Sequence, residues 1–173
     1  MFDAREVLAK PATRNSIPLR ITSEATWEKF SGNLAPRTKT WAAAQNFTGA
    51  AGSCLQVPDA QGAVAEVFLG SKPGADGFAL ARQCRQLPAG LYAVQEGTPR
   101  HLEIAWCLEA YVFDRYKSSD RKIPRLVCGG EADYEKIISQ ANAIYLVRDL
   151  INTPANDLGP DELEAAARKL ISP

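Results

Sequence analysis

The chain has 173 residues, 46% of them hydrophobic and 23% charged, which suits one domain with a real apolar core and some length to spare for a connecting segment. Its 20 basic and 20 acidic residues cancel to a formal net charge of zero. Composition therefore gives no electrostatic case for a nucleic-acid or membrane-surface partner. The first ten residues carry Asp3, Arg5 and Glu6 without an apolar run, which does not fit a signal peptide, and no apolar stretch approaches the roughly 18 residues of a membrane span. Cys54, Cys84, Cys107 and Cys128 are spread too widely for the close pairs of a zinc site. Reduced, partly buried thiols in a soluble cytoplasmic domain are the expectation.

In chain order, residues 17–21 alternate as a first strand, with Pro18 confining it to a sheet edge or to the strand's beginning. Ser23 is placed to cap a short helix through Phe30, with Trp27 and Phe30 on one face. A second short helix is expected over residues 38–46. Residues 54–57 and 63–69 read as two strands joined by the turn at residues 58–62, which is too short for a parallel crossover, so this pair is antiparallel. A glycine-rich loop spans residues 70–77, helical spacing runs from Phe78 through Ala81 and Cys84 to Leu87, and residues 91–94 form another strand.

Thr98 and Pro99 predict a helix start, and Ile104, Ala105, Leu108, Tyr111 and Val112 an apolar stripe over about four turns. Residues 125–128 form a strand closed by Gly129 and Gly130. Asp133 is the expected cap of a long helix to about Ile151, with Ile137, Ile138, Ala141, Ile144, Tyr145 and Val147 on its inner face. Pro154 forbids its continuation, residues 152–159 form a corner, and a last helix with the stripe Leu163, Ala166, Ala167 and Leu170 begins near Pro160. Strands separated by helices, with one antiparallel pair, make an α/β domain: a mixed sheet with helices on both faces.

The chain offers little chemistry. His101, its one histidine, falls in the first turn after Pro99, where an exposed or partly packed residue is expected rather than a catalytic one. The carboxylate groups Glu131, Asp133, Glu135 and Asp157, Asp161, Glu162, Glu164 sit at two helix starts, where the helix dipole accounts for them without a metal. The glycines match no phosphate-binding fingerprint. Tyr111, Phe113 and Tyr116 beside Arg115 and Lys117 read as packing rather than base stacking. No catalytic, cofactor-binding or metal-ligating residue is assigned.

Residues 147–160, VRDLINTPANDLGP, resemble the junction between the N-terminal and catalytic domains of the M17 leucyl aminopeptidase family. Residues 108–117, LEAYVFDRYK, are similar to a second motif of that family, with Glu109 and Val112 departing from its usual glycine and arginine. Weaker likeness runs through residues 41–52, 69–70 and 87–92. The resemblance implies a macro-domain-like three-layer fold for residues 1–151, a non-catalytic N-terminal domain. Residues 152–173 would be the junction and first helix leading to a catalytic domain that lies outside this chain. It also implies a parent enzyme that removes N-terminal residues such as leucine from peptides with two divalent metals, usually zinc, manganese or magnesium, as a cytoplasmic homo-hexamer. The ligands for those metals belong to motifs absent here, so the expected role is scaffold and assembly, and the expected activity of the chain alone is none. The alternatives are an autonomous macro-domain-like nucleotide-binding module and, with only scattered arginines behind it, a nucleic-acid-binding accessory domain.

Overall fold

A computed structural model describes residues 2–11, 15–117 and 122–171. A 3-10 turn, Ala4–Glu6, leads into strand β1 (Leu8–Ala9). It is followed by β2 (Ile17–Thr22), α1 (Glu24–Ser31), α2 (Pro36–Ala44), β3 (Cys54–Pro58) and β4 (Val64–Gly70). Then come α3 (Gly77–Ala81), a 3-10 stretch Arg82–Gln86, β5 (Leu91–Val94), α4 (Leu102–Ala110), β6 (Arg125–Val127), α5 (Glu131–Asn152) and α6 (Pro160–Ile171).

The strands form one sheet in the order β1-β6-β5-β2-β4-β3, parallel throughout except for the antiparallel β3–β4 pair. The mixed α/β architecture expected from the sequence is therefore present. Of the two places expected for Pro18, the structure has the second: it is the second residue of β2, an interior strand. Gln95 N donates to Leu19 O at 3.1 Å, so the backbone groups of Leu19 face β5 and those of Pro18 face β4. The register with β4 begins one residue later, at Leu19, so Pro18 stands at the start of that ladder and its missing donor interrupts none of the pairs that follow. Strand β1 was not legible in the sequence. It is two residues long, and its burial comes from pairing with β6.

Side-chain alternation divides the core. One face of the sheet presents Leu8, Leu126, Tyr92, Leu19, Val67 and Leu69 to α3, α4 and α5. The other presents Leu55, Val57 and Phe68 to α1 and α2, where Trp27 meets Phe47 and Phe68 edge-on at ring distances of 4.7 and 5.2 Å. Ser23 caps α1 as expected, in a reciprocal box with Thr26.

Several helix ends differ from the sequence reading. Pro36 at the first helical position starts α2 before Thr38, and it ends at Ala44 before Asn46 turns left-handed. The expected helix of residues 78–87 is a short α-helix followed by a 3-10 stretch, and Phe78 is exposed while Leu80, Ala81, Cys84 and Leu87 are buried. Asp76 fixes that start, accepting from Phe78 N and Ala79 N. Helix α4 begins at Leu102, not Pro99, because Arg100 O is taken by Gly77 N at 2.8 Å and residues 99–102 form a separate turn. Helix α5 begins at Glu131 with Gly130 as its cap, leaving Asp133 within the first turn.

Candidate functional site

Helix α4 stops at Ala110, two residues short of the stripe that Tyr111 and Val112 were expected to complete. Arg148 explains the stop. Its guanidinium donates to Leu108 O at 2.7 Å, closing one of the helix's terminal carbonyls. Tyr145, fully buried on α5, donates its hydroxyl to Cys107 O, which also accepts from Tyr111 N. Tyr111 itself turns extended, with φ −51° and ψ 134°, and its ring packs on Tyr145 at 5.2 Å and carries the Arg148 guanidinium over it at 5.3 Å.

From there the chain runs without regular structure through residues 111–117, alongside the end of α5. Tyr111 Oη donates to Asp149 at 2.6 Å, and Asn152 Nδ2 donates back to that hydroxyl at 3.4 Å. Arg115 donates to Thr153 Oγ1 at 3.3 Å, and Tyr116 Oη donates to Asp157 at 2.5 Å. The acceptors are four residues apart in each step, so the contacts start on the last turn of α5, at Asp149, and continue past its end to Thr153 and Asp157. Burial, with Asp149 second, pushes the Tyr111 hydroxyl up to about 12, and the Asp157 carboxylate raises that of Tyr116. Residues 111–117, of which Tyr111 and Val112 were expected on the helix, are thus a strap. It joins the two segments, 108–117 and 147–160, that carry the strongest resemblance.

Beyond the strap the helix breaks where the proline requires. Thr153 caps α5, its hydroxyl donating to Asp149 O at 2.7 Å. Pro154 O accepts from Asp157 N and Leu158 N, and α6 starts at Pro160, with Glu162 capping Gly159 N at 2.9 Å. Between α5, α6 and residues 113–115 lies an open groove of about 970 Å³. Ala143, Leu146 and Leu150 line it from α5, and Ala166 and Leu170 from α6, and the charged side chains Arg5, Asp149 and Lys169 border it as well. The inner face of α5 is also narrower than its apolar residues suggested. Tyr134, Ile138, Ala141 and Tyr145 are buried, while Ile144 and Val147 join Ile151 in an exposed row. The buried set repeats at four, three and four residues, which places Ile144 and Val147 about a quarter turn or more away from it.

The remaining sequence candidates are not brought together. His101 is exposed and holds the left-handed position before α4, with φ 63°. Glu135 pairs with Arg5 at 2.9 Å, and Glu164 with Arg168 at 2.6 Å. Among the described residues no three His, Cys, Asp or Glu side chains converge as a metal site, so the pair of divalent metals implied by the resemblance finds no fitting donor set here. The glycine groups serve backbone geometry: a Cβ on Gly70 would stand 1.9 Å from Ala50 O, and Gly74 turns with φ +71°. No helix is long and apolar enough to cross a membrane among the described residues.

Residues 17–129 match the family profile described as the M17 aminopeptidase N-terminal domain. A probable cytosol aminopeptidase of Chelativorans sp. (strain BNC1) is 38% identical over 78 residues, covering 38% of this chain and 16% of that protein. The crystal structure of the cytosol aminopeptidase from Coxiella burnetii superimposes with a TM-score of 0.86 at 26% identity, over 94% of this chain and 37% of that one. A tomato leucine aminopeptidase mutant shares the fold, with a TM-score of 0.61 at 16% identity, over 95% of this chain and 42% of its own. So does the bottromycin maturation enzyme BotP, with a TM-score of 0.60 at 18% identity, over 90% of this chain and 37% of its own. The chain thus spans well under half the length of each of these relatives.

Proposed function

The chain belongs to the M17 aminopeptidase family, as its N-terminal domain, and on that premise we propose that it is the non-catalytic scaffold of a cytoplasmic, metal-dependent leucyl aminopeptidase. In this reading residues 1–151 are the scaffold, and residues 152–173 lead into a catalytic domain that supplies both metals and removes N-terminal residues from peptides. Homo-hexameric assembly of the whole enzyme belongs to the same proposal.

The observation that carries it is the surface at the α5–α6 corner. Helix α6 has no buried residue, its Leu163 and Leu170 are exposed, and it faces α5 across the apolar groove. Ile144, Val147 and Ile151 extend the exposed apolar surface along α5. Contiguous apolar surface of this kind marks an interaction site in a soluble domain, and the catalytic domain is the partner that the family supplies.

A chimaera tests the reading. This chain, put in place of the N-terminal domain of a cytosol aminopeptidase, is expected to give a soluble protein that hydrolyses leucyl amides with manganese or zinc, while the chain alone turns over none. Chelator-sensitive turnover by the chain alone, or a chimaera that cannot fold, overturns it.

A further inference from the structure

We propose that Tyr111, Arg115 and Tyr116 form a clamp that sets the direction in which α6 leaves α5. This goes beyond the domain assignment: the clamp is a property of this chain, and only the identity of what α6 then positions rests on the M17 reading.

The geometry separates two jobs. The inner contact, Tyr111 to Asp149, sits where the strap is packed on Tyr145 and beneath Arg148. Its acceptor lies within α5, so it anchors the strap to the domain. The outer contacts reach past the helix. Arg115 takes Thr153, the last capping residue of α5, and Tyr116 takes Asp157, in the middle of the corner. Arg115 and Tyr116 also brace each other, with the guanidinium 5.6 Å from the tyrosine ring and Phe113 edge-on to that ring at 5.8 Å.

The corner itself is compact. Asp157 N and Leu158 N both donate to Pro154 O, at 2.9 and 3.0 Å, so a side chain that holds Asp157 holds the turn. Gly159, Pro160 and Glu162 then set the first turn of α6 directly behind it. No residue of α6 is buried, so packing of α6 does not define its direction. A hydrogen-bonded corner with fixed exits on both sides does.

The clamp differs from an ordinary stabilising cluster in a measurable way. Its outer half bonds Thr153, the cap of α5, and Asp157 in the corner, neither of them part of the hydrophobic core, so its loss should free α6 and leave the domain folded. The test is 15N relaxation on the whole chain, whose 18.8 kDa suits solution NMR. In the wild type, amides of α6 and of residues 154–159 should have order parameters matching those of α5, about 0.85. In Arg115→Gln/Tyr116→Phe these should fall below about 0.6, with the α5 amides and the melting temperature unchanged. Asp157→Ala, made from the acceptor side, should reproduce the loss. Wild-type α6 amides already below about 0.6, or variants in which α6 stays as rigid as α5, overturn the clamp. Neither result bears on the chimaera above, so the clamp and the domain assignment fail separately.

Discussion

Replacing Gly77 by alanine adds one methyl group where the start of α3 meets the start of α4. An ideal Cβ there would stand 2.1 Å from Leu102 Cα and 2.2 Å from Leu102 N, about 1.5 Å inside van der Waals contact. The obstacle is backbone, and it cannot retreat: Leu102 is fully buried, and Gly77 N is bonded to Arg100 O at 2.8 Å. Overpacking a rigid core costs about 1–3 kcal/mol, and a backbone-to-backbone overlap belongs at or above the upper end. We expect a loss of about 3 kcal/mol, or roughly 6–12 °C in melting temperature for a chain of this size. Two controls carry the same chemical change. Gly32→Ala, whose Cβ meets nothing closer than 3.9 Å, should be neutral or slightly stabilising. Gly74→Ala has open space but a φ of +71°, and should cost about 1 kcal/mol from backbone strain alone. Urea unfolding of the three variants decides the matter. If Gly77→Ala lies within 1 kcal/mol of wild type, the close packing of α3 on α4 is wrong.

Tyr145→Phe should cost only about 1 kcal/mol, because Cys107 O keeps its bond from Tyr111 N, whereas Tyr145→Ala should cost about 3–5 kcal/mol by opening a cavity, both read by chemical denaturation. Burial pushes the thiols of Cys54 and Cys107 up to about 11 and 12 and the Tyr92 hydroxyl to about 12. The folded state holds these protons longer than the unfolded chain, so stability should be full below about pH 9 and decline as pH rises toward 12, measured by melting temperature against pH. Calorimetry with ADP-ribose should show no saturable one-to-one binding, since the glycines near the strand ends are committed to close backbone packing and turns.

The sheet was legible where local chemistry decides the outcome. The turn after Pro58 forces the antiparallel pair, Ser23 caps α1, and Pro154 ends α5. The reading failed where tertiary bonds redirect the backbone. Gly77 captures the Arg100 carbonyl and delays α4, while Arg148, 40 residues from Leu108, ends it early. Apolar spacing also could not tell the core side of α5 from its exposed side, because Ile138 and Ile144 are equally hydrophobic and only packing against α4 and the N-terminal turn distinguishes them. The strap was hidden for a related reason. Tyr111, Arg115 and Tyr116 find their acceptors about 40 positions away, and only the likeness of both segments to one family hinted that they belong together.

In the proposed function, the α5–α6 groove and its flanks seat an M17 catalytic domain. Isothermal titration of a separately expressed M17 catalytic domain into this chain measures it most directly. Saturable one-to-one binding is expected, lost in Leu146→Glu/Leu150→Glu, two half-buried groove residues whose charges would be desolvated on docking, while that variant keeps its native circular dichroism. No binding by the wild-type chain, or binding of equal strength by the folded variant, would contradict it.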